Sequence, residues 1–135
     1  MLDLQEISNL DFNYRKEILV LDDCIDTLGI IKNFLTGAHN LKVSYFLDEK
    51  DAISSCSFIK PDLAIIDMNL NRMDGIRFSL LLQQINSQSI PMIFISQDFD
   101  KKIEVENFYG HNSTFLCKPL DQELLKRTIV DKLLI

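Results

Sequence analysis

The sequence predicts a single α/β domain, a doubly wound (βα)5 unit whose five-stranded parallel sheet carries helices on both faces. Short apolar runs alternate five times with segments whose apolar residues recur at helical spacing. Strands that alternate with helices in this way form parallel sheets, and 135 residues suit one such domain. We divide the chain into an N-terminal extension, residues 1–15, and the domain, residues 16–135. The extension shows no clean period, which fits a short helix covering a sheet edge or a disordered leader.

Each predicted strand is an apolar run bounded by polar or turn residues. The run Leu63–Ile66 follows Pro61 and ends at Asp67, a pattern typical of a strand buried on both faces. Pro91 stands at the start of the fourth run, where a missing backbone donor does least harm. The five predicted strands cover residues 16–21, 42–47, 62–67, 90–96 and 114–118.

The predicted helices begin at acidic caps. Asp26 is expected to cap a helix over residues 27–35, Asp48 a helix that runs to about residue 57, and Asp121 the final helix. Either Asp98 or Asp100 opens a helix that ends near Tyr109. A further helix covers residues 74–86. Gly37 and Gly110 supply stops. The apolar residues expected to face the core are Leu28, Ile31 and Leu35; Phe78, Leu81, Leu82 and Ile85; and Leu125, Ile129 and Leu133.

Composition and charge narrow the function classes. The chain is 47% hydrophobic and 25% charged, as in ordinary globular proteins, with a formal net charge of −6 that argues against nucleic acid or an anionic membrane as a direct partner. It contains no apolar run of membrane-spanning length and no signal-like N-terminus, which predicts a cytoplasmic location. Cys24, Cys56 and Cys117 are scattered, which favours reduced thiols. His39 and His111 are isolated, as surface loop residues are.

Four predicted strands end in polar residues. The first ends in Asp22 and Asp23, the third in Asp67, the fourth in Ser96 and the fifth in Lys118. With the strand order 2-1-3-4-5, the first and third strands adjoin at the switch point of the sheet, where ligands bind at the carboxyl ends of strands. The sequence therefore predicts that three acids, a hydroxyl and a lysine converge at one edge.

Such a cluster suits a divalent cation and a phosphoryl group together. Three neighbouring carboxylates repel one another and should raise the pKa of at least one of them. Mg²⁺ relieves this repulsion, and it takes oxygen ligands from one or two carboxylates, water and phosphate. Asp67 would then be the nucleophile that forms an aspartyl phosphate, with Lys118 balancing charge and Ser96 donating a hydrogen bond to a phosphoryl oxygen.

At these residues the sequence resembles the receiver domain of two-component response regulators. The resemblance covers roughly residues 16–134. It rests on four features: the pair Asp22-Asp23, the Asp67 in Asp-Met-Asn-Leu-Asn-Arg-Met-Asp-Gly, Ser96, and Lys118 followed by Pro119. The sequence departs from the family at Asn71, where Pro is common, and at Gln97, where a small residue is usual. Asn71 should loosen the loop after Asp67. Gln97 could restrict access of the phosphodonor or of water to Asp67.

The resemblance implies a flavodoxin-like fold and a role for each site residue. Asp67 would accept phosphate from a histidine kinase or phosphotransfer protein. Mg²⁺ would be held by Asp23, Asp67 and the backbone carbonyl of Asn69, with Asp22 acting partly through water. Ser96 and Phe115 would form the family's switch pair, although simple core packing explains Phe115 equally well.

The resemblance also implies partners downstream. Phosphorylation would reshape a face formed by the fourth helix, fifth strand and fifth helix, within residues 98–107 and 121–132, that binds a protein partner or output domain or forms a homodimer. Two other functions stay open. One is an interaction domain that works without phosphorylation. The other is a phosphatase of the haloacid dehalogenase type, although that family prefers a second Asp where Asn69 stands, and 135 residues leave little room for its cap domain.

Overall fold

A computed structural model describes residues 15–86, 89–110 and 114–134, so most of the N-terminal extension and His111 lie outside the described residues. Within these residues, five strands and five helices alternate. The strands are β1 (Lys16–Leu21), β2 (Leu41–Phe46), β3 (Leu63–Asp67), β4 (Met92–Ser96) and β5 (Thr114–Cys117). The helices are α1 (Ile25–Leu35), α2 (Glu49–Ser55), α3 (Gly75–Ile85), α4 (Lys101–Tyr109) and α5 (Gln122–Leu133).

The strands form one parallel sheet in the order β2-β1-β3-β4-β5, which confirms the predicted topology. Residues Ile18–Leu21 and all of β3 and β4 are buried, as expected for strands covered on both faces. In the paired register, Asp67 lies beside Ile95, and Ser96 lies beside Cys117. The strand ends that carry polar residues are therefore neighbours at one edge of the sheet.

Two apolar layers cover the two faces of the sheet, which confirms the doubly wound arrangement. One layer packs α1 and α5 on the sheet through Leu28, Ile31, Leu125 and Ile129, among others. The other packs α2, α3 and α4 through Ala52, Phe78, Leu82 and Val105. Val105 is the only residue of α4 that is fully buried. No helix within the described residues is long and apolar enough to cross a membrane.

Most helix caps follow the prediction, and one does not. The side chain of Asp48 accepts hydrogen bonds from the backbone N–H groups of Lys50 and Asp51, and Asp121 accepts one from Leu124. The prediction that Asp26 caps α1 is wrong, because Asp26 lies inside the first turn and Cys24 is the capping residue. The helix begins early because the Asp22 carboxylate accepts a hydrogen bond from the backbone N–H of Cys24 (2.8 Å) and turns the chain there.

The predicted core stripe of α3 is half wrong. Phe78 and Leu82 are buried, but Leu81 and Ile85 are 37% and 46% exposed. Ser79 is buried in their place, because its hydroxyl donates to the carbonyl of Ile76 and contacts the phenol of Tyr109 at the end of α4. The predicted bounds of β1 match the observed ones, and those of the other four strands differ by one or two residues, as the ends of elements commonly do.

Candidate functional site

The polar residues predicted at the strand ends do come together at the carboxyl edge of the sheet. Asp22 and Asp67 are buried, Asp23 is half-buried, and one carboxylate oxygen from each lies within 4.8 Å of the others. Lys118 follows β5 and reaches across the edge: its Nζ lies 2.8 Å from Oδ2 of Asp22 and 3.6 Å from Oδ2 of Asp67. The site thus places one cation among three acids.

Asp67 is held by the loop that follows it. The backbone N–H of Asn69 donates to Oδ1 of Asp67 (3.1 Å), which orients the carboxyl group. Burial raises the pKa of Asp67 to about 7; the Asn69 N–H opposes that rise, the charge of Asp22 adds to it, and Lys118 again opposes it. Repulsion among the acids was expected to raise a pKa here, and it contributes, but burial is the larger cause.

Lys118 stays charged in this setting. Burial alone lowers the pKa of an ammonium group, but the contact with Asp22 and the charges of Asp22 and Asp67 outweigh it, so the pKa of Lys118 is raised. Oδ2 of Asp22 is ion-paired with Lys118 and, within the described residues, accepts no regular hydrogen bond. A buried carboxylate oxygen that accepts no regular hydrogen bond, next to two further carboxylates, fits the oxygen ligation that Mg²⁺ requires.

Ser96 ends β4 and is fully buried beside the acids. Its Oγ accepts hydrogen bonds from the side-chain Nδ2 of Asn69 (3.2 Å) and from the backbone N–H of Asp98 (3.0 Å). Asn69 is therefore tied to both Asp67 and Ser96, its backbone to one and its side chain to the other. Sequence reasoning predicted a role for the Asn69 carbonyl and missed this side-chain contact.

Phe115 does not lie in the acidic cluster. It is half-buried on β5, packs against the layer under α3 and α4, and meets the ring of Phe99 edge-on with 6.5 Å between ring centres. Phe99 is 62% exposed, so this aromatic pair leads from the sheet to the surface at the start of α4.

Gln97 and Cys24 lie at the rim of the site. Both line a surface cavity of about 480 Å³ beside Lys118 and Pro119, which join through a cis peptide bond. A thiol so close to carboxylates is not expected to have a lowered pKa, yet the pKa of Cys24 is lowered. A backbone hydrogen bond at Thr27, at the start of α1, lowers the pKa of Cys24 more than the Asp22 charge raises it.

The loop from Met68 to Asp74 closes by close backbone contacts. Asn69 pairs with Asp74, and the N–H of Gly75 donates to the carbonyl of Met68 (3.0 Å). A Cβ atom at Gly75 would lie 2.6 Å from the carbonyl oxygen of Asp67, a distance that side chains do not tolerate. Asp74 then accepts a hydrogen bond from the N–H of Arg77 and starts α3. The predicted helix over residues 74–86 places the end of the loop here, but the sequence does not predict this approach to Asp67.

Glu49 is a second residue that sequence reasoning missed. It begins α2, is buried to 3% exposure, and its Oε1 accepts a hydrogen bond from the backbone N–H of Arg72 (3.1 Å) in the loop after Asp67. An acid in the first turn of a helix is expected from the helix dipole alone, so the sequence carried no sign of this contact.

Comparisons with known proteins point to one family. Residues 18–130 match the family described as the response regulator receiver domain. The chain is 35% identical over 117 residues to the regulatory protein VirG of Rhizobium rhizogenes. The aligned region covers 83% of this chain and 46% of that protein. It is 30% identical over 105 residues to the cyclic di-GMP phosphodiesterase response regulator RpfG of Xanthomonas campestris pv. campestris (strain 8004), covering 76% of this chain and 28% of that protein.

Solved structures agree in fold. A signal receiver domain of an HD domain-containing protein from Pseudomonas fluorescens Pf-5 superposes with a TM-score of 0.78 at 24% identity, covering 93% of this chain and 92% of that one. The chemotaxis protein CheY4 of Vibrio cholerae superposes with a TM-score of 0.73 at 21% identity, covering 86% and 97%. The chain spans less than half the length of the two curated relatives.

Proposed function

The chain belongs to the response regulator receiver domain family, and from that premise we propose that it is a phosphorylation-dependent signalling module in which Asp67 is the phosphoacceptor. One observation carries the proposal: Asp22, Asp23 and Asp67 offer oxygens within 4.8 Å of one another, with the Lys118 ammonium 3.6 Å from Asp67 Oδ2. Neutral packing would not collect these charges at a sheet edge, whereas phosphoryl transfer to a carboxylate uses them all.

The acidic cluster would hold Mg²⁺. Its ligands would be Asp22, Asp23, Asp67 and the backbone carbonyl of Asn69, with Asp22 acting in part through water. Receiver domains in general bind Mg²⁺ at an acidic pocket, and the bound ion supplies positive charge that offsets the charge of the transferring group. An all-oxygen donor set, with a buried Asp22 oxygen that accepts no regular hydrogen bond, supports this assignment.

The transfer step needs an ionised Asp67. One of its oxygens attacks the phosphorus of a phosphohistidine on a histidine kinase or phosphotransfer protein, and the new O–P bond forms as the N–P bond breaks. The electron pair of the broken bond passes to the imidazole nitrogen, which then takes up a proton. Lys118 offsets the charge of the phosphoryl oxygens. Ser96 uses its oxygen as an acceptor in both of its contacts, which leaves its proton for a phosphoryl oxygen.

Phosphorylation would act through Ser96 and Phe115. A phosphoryl group adds charge and acceptor oxygens, and the move of Ser96 toward it would give Phe115 room to turn inward from its half-buried position. Because Phe115 contacts Phe99, such a turn alters the surface formed by α4, β5 and α5. That surface exposes Phe99, Ile103 and Phe108 beside lysine–glutamate pairs of α4, and we propose it as the site for an output domain, a protein partner or a second copy.

Incubation with acetyl phosphate and Mg²⁺ tests the proposal directly. We expect the intact mass to rise by one phosphoryl group, with a modification that is stable in acid, labile in base and mapped to Asp67. Asp67→Asn should take up none, and a chelator should stop the reaction. Equal labelling of wild type and Asp67→Asn, or none in either with acetyl phosphate or a kinase donor, would show that the domain works without this phosphorylation.

The downstream surface is tested by mass in solution. Light scattering coupled to size-exclusion chromatography, with and without acetyl phosphate, should show a larger species on phosphorylation if a second copy is the partner. Ile103→Glu, which places charge on the exposed face of α4, should abolish that species and leave phosphorylation of Asp67 intact. If phosphorylation leaves the mass in solution unchanged, the homodimer is ruled out, and a protein partner or an output domain remains as the occupant of this surface.

A further inference from the structure

The loop that follows Asp67 is held against α2 by a single buried acid. Glu49 Oε1 accepts a hydrogen bond from the backbone N–H of Arg72 at 3.1 Å, and the Glu49 residue is 3% exposed. Arg72 is also approached from the surface, where its Nε lies 4.0 Å from Oδ2 of Asp48. That outer pair is exposed and at the limit of an ion pair, so it contributes little, whereas the Glu49 bond is shielded from water.

The position of this bond matters because the same loop presents Asn69. Within the described residues, the loop's own closure consists of the Asn69–Asp74 bridge and the bond from Gly75 N–H to Met68 carbonyl, both at its base. Asn69, which forms the bridge with Asp74, also donates hydrogen bonds to Asp67 and to Ser96. Within the described residues, the bond to Glu49 is the buried hydrogen bond that joins the tip, near residues 70–72, to another element, beside the apolar packing of Leu70.

We propose that Glu49 is a positioning residue for the phosphoacceptor loop, holding the loop in the conformation that binds Mg²⁺ and accepts the phosphoryl group. This rests on the proposed function. Asn71 leaves the tip without the ring that a proline would provide there, and Glu49 replaces that missing restraint by a contact from outside the loop. The sequence departure at Asn71 therefore does not leave the loop loose.

Two conservative variants distinguish the effect of the length of the Glu49 side chain from the effect of its charge. Glu49→Asp keeps the negative charge at the start of α2 but shortens the side chain by one methylene, so it loses the bond to Arg72. Glu49→Gln loses the charge but keeps an oxygen acceptor at the same reach. If the hydrogen bond positions the loop, the Asp variant should fail and the Gln variant should behave as wild type. If the charge acts directly on the metal site, the order is reversed.

Hydrogen exchange and calorimetry give the two readouts. The amide of Arg72 should exchange much faster in Glu49→Asp than in wild type or Glu49→Gln, which reports the bond itself without Mg²⁺ or phosphate. Isothermal titration with Mg²⁺ should show affinity weakened about tenfold in Glu49→Asp, the loss typical when a supporting contact of a metal site is removed. Labelling of Asp67 by acetyl phosphate at subsaturating Mg²⁺ should slow in parallel.

Two further variants make the test specific. Asp48→Asn keeps the helix cap and removes only the exposed approach to Arg72, so its Mg²⁺ affinity should stay within about twofold of wild type. Asn71→Pro should restore the Mg²⁺ affinity of Glu49→Asp, because the proline ring fixes φ at the loop tip and no hydrogen bond from the Asn71 N–H is sacrificed in the described structure. If Glu49 acted only on the stability of the fold, Asn71→Pro would not restore the Mg²⁺ affinity of Glu49→Asp.

The proposal is overturned if Arg72 exchange is the same in wild type and Glu49→Asp, or if it accelerates while Mg²⁺ affinity stays unchanged. It is also overturned if Glu49→Gln loses affinity as Glu49→Asp does. A wild-type protein that binds no Mg²⁺ would instead refute the proposed function, and Arg72 exchange would still report whether Glu49 holds the loop.

Discussion

Replacing Asp67 by Asn should stabilise the metal-free protein at neutral pH and above. The pKa of Asp67 is raised from 3.8 to about 7, so the folded state holds a proton that the unfolded state has released. Between these two pKa values stability therefore falls as pH rises, and above pH 7 the full penalty of the buried charge is present. Each pKa unit corresponds to about 1.4 kcal/mol, which sets an upper limit of about 4 kcal/mol.

The expected effect is smaller than that limit, because the site opens to solvent at the sheet edge and solvent screens the charge. We take about half, so Asp67→Asn should raise the free energy of unfolding by about 2 kcal/mol at pH 8 and by less than half of that at pH 5. The opposing attraction of Lys118 is already contained in the raised pKa. The amide keeps the shape of the carboxyl group, so packing is unchanged.

Urea unfolding followed by circular dichroism measures this, since the chain has no Trp. The protein is kept in a chelator at pH 5 and pH 8. The exposed Asp131→Asn is the matched control and should change stability by less than about 0.5 kcal/mol at both pH values. Excess Mg²⁺ should stabilise the wild type more than Asp67→Asn, because ligands stabilise the state that binds them. A gain at pH 8 that is absent, or equal to the gain at pH 5, refutes the reasoning.

Two further predictions concern packing, each with its control in the same helix or fold. Gly75→Ala should destabilise the domain by about 2 kcal/mol and slow labelling of Asp67, because its Cβ would lie 2.6 Å from the Asp67 carbonyl oxygen. Gly29→Ala, with nothing within 4 Å, should stabilise α1 by up to about 1 kcal/mol. Leu82→Ala should lose about 3 kcal/mol in urea unfolding and Leu81→Ala less than about 1, since only Leu82 is buried. Equal losses within either pair would contradict these assignments.

The strand ends were predictable from sequence, because a buried apolar run leaves little freedom in where its first polar residue lies. Asp67, Ser96 and Lys118 follow such runs, and the parallel order then brings them to one edge. The core face of α3 was not predictable in full. Leu80, Leu81 and Leu82 are consecutive, so two faces of the helix are similarly apolar. The packing of Phe78 and Leu82 together with the contact of Ser79 to Tyr109 selects one of them.

The contact of Glu49 with the loop also lay beyond sequence reasoning. Glu49 is 97% buried because the loop that carries Arg72 passes over it. The sequence around residue 49 would look the same if this acid were an exposed residue of the first helical turn. The same holds for the Asn69 side chain: its neighbours in sequence indicate a turn, whereas its partner Ser96 is 27 residues away.

Helix α4 differs from the other helices in how it is attached. Its only fully buried residue is Val105, and at its end Tyr109 is half-buried against Phe94 with its phenol on Ser79. The proton of Ser79 is directed to Ile76, so the phenol of Tyr109 is the donor in that contact. Few buried contacts mean a low free energy for local displacement. The helix is therefore held by Val105, by the ring of Tyr109 and by one directional bond, so it can shift while the sheet beneath it stays intact.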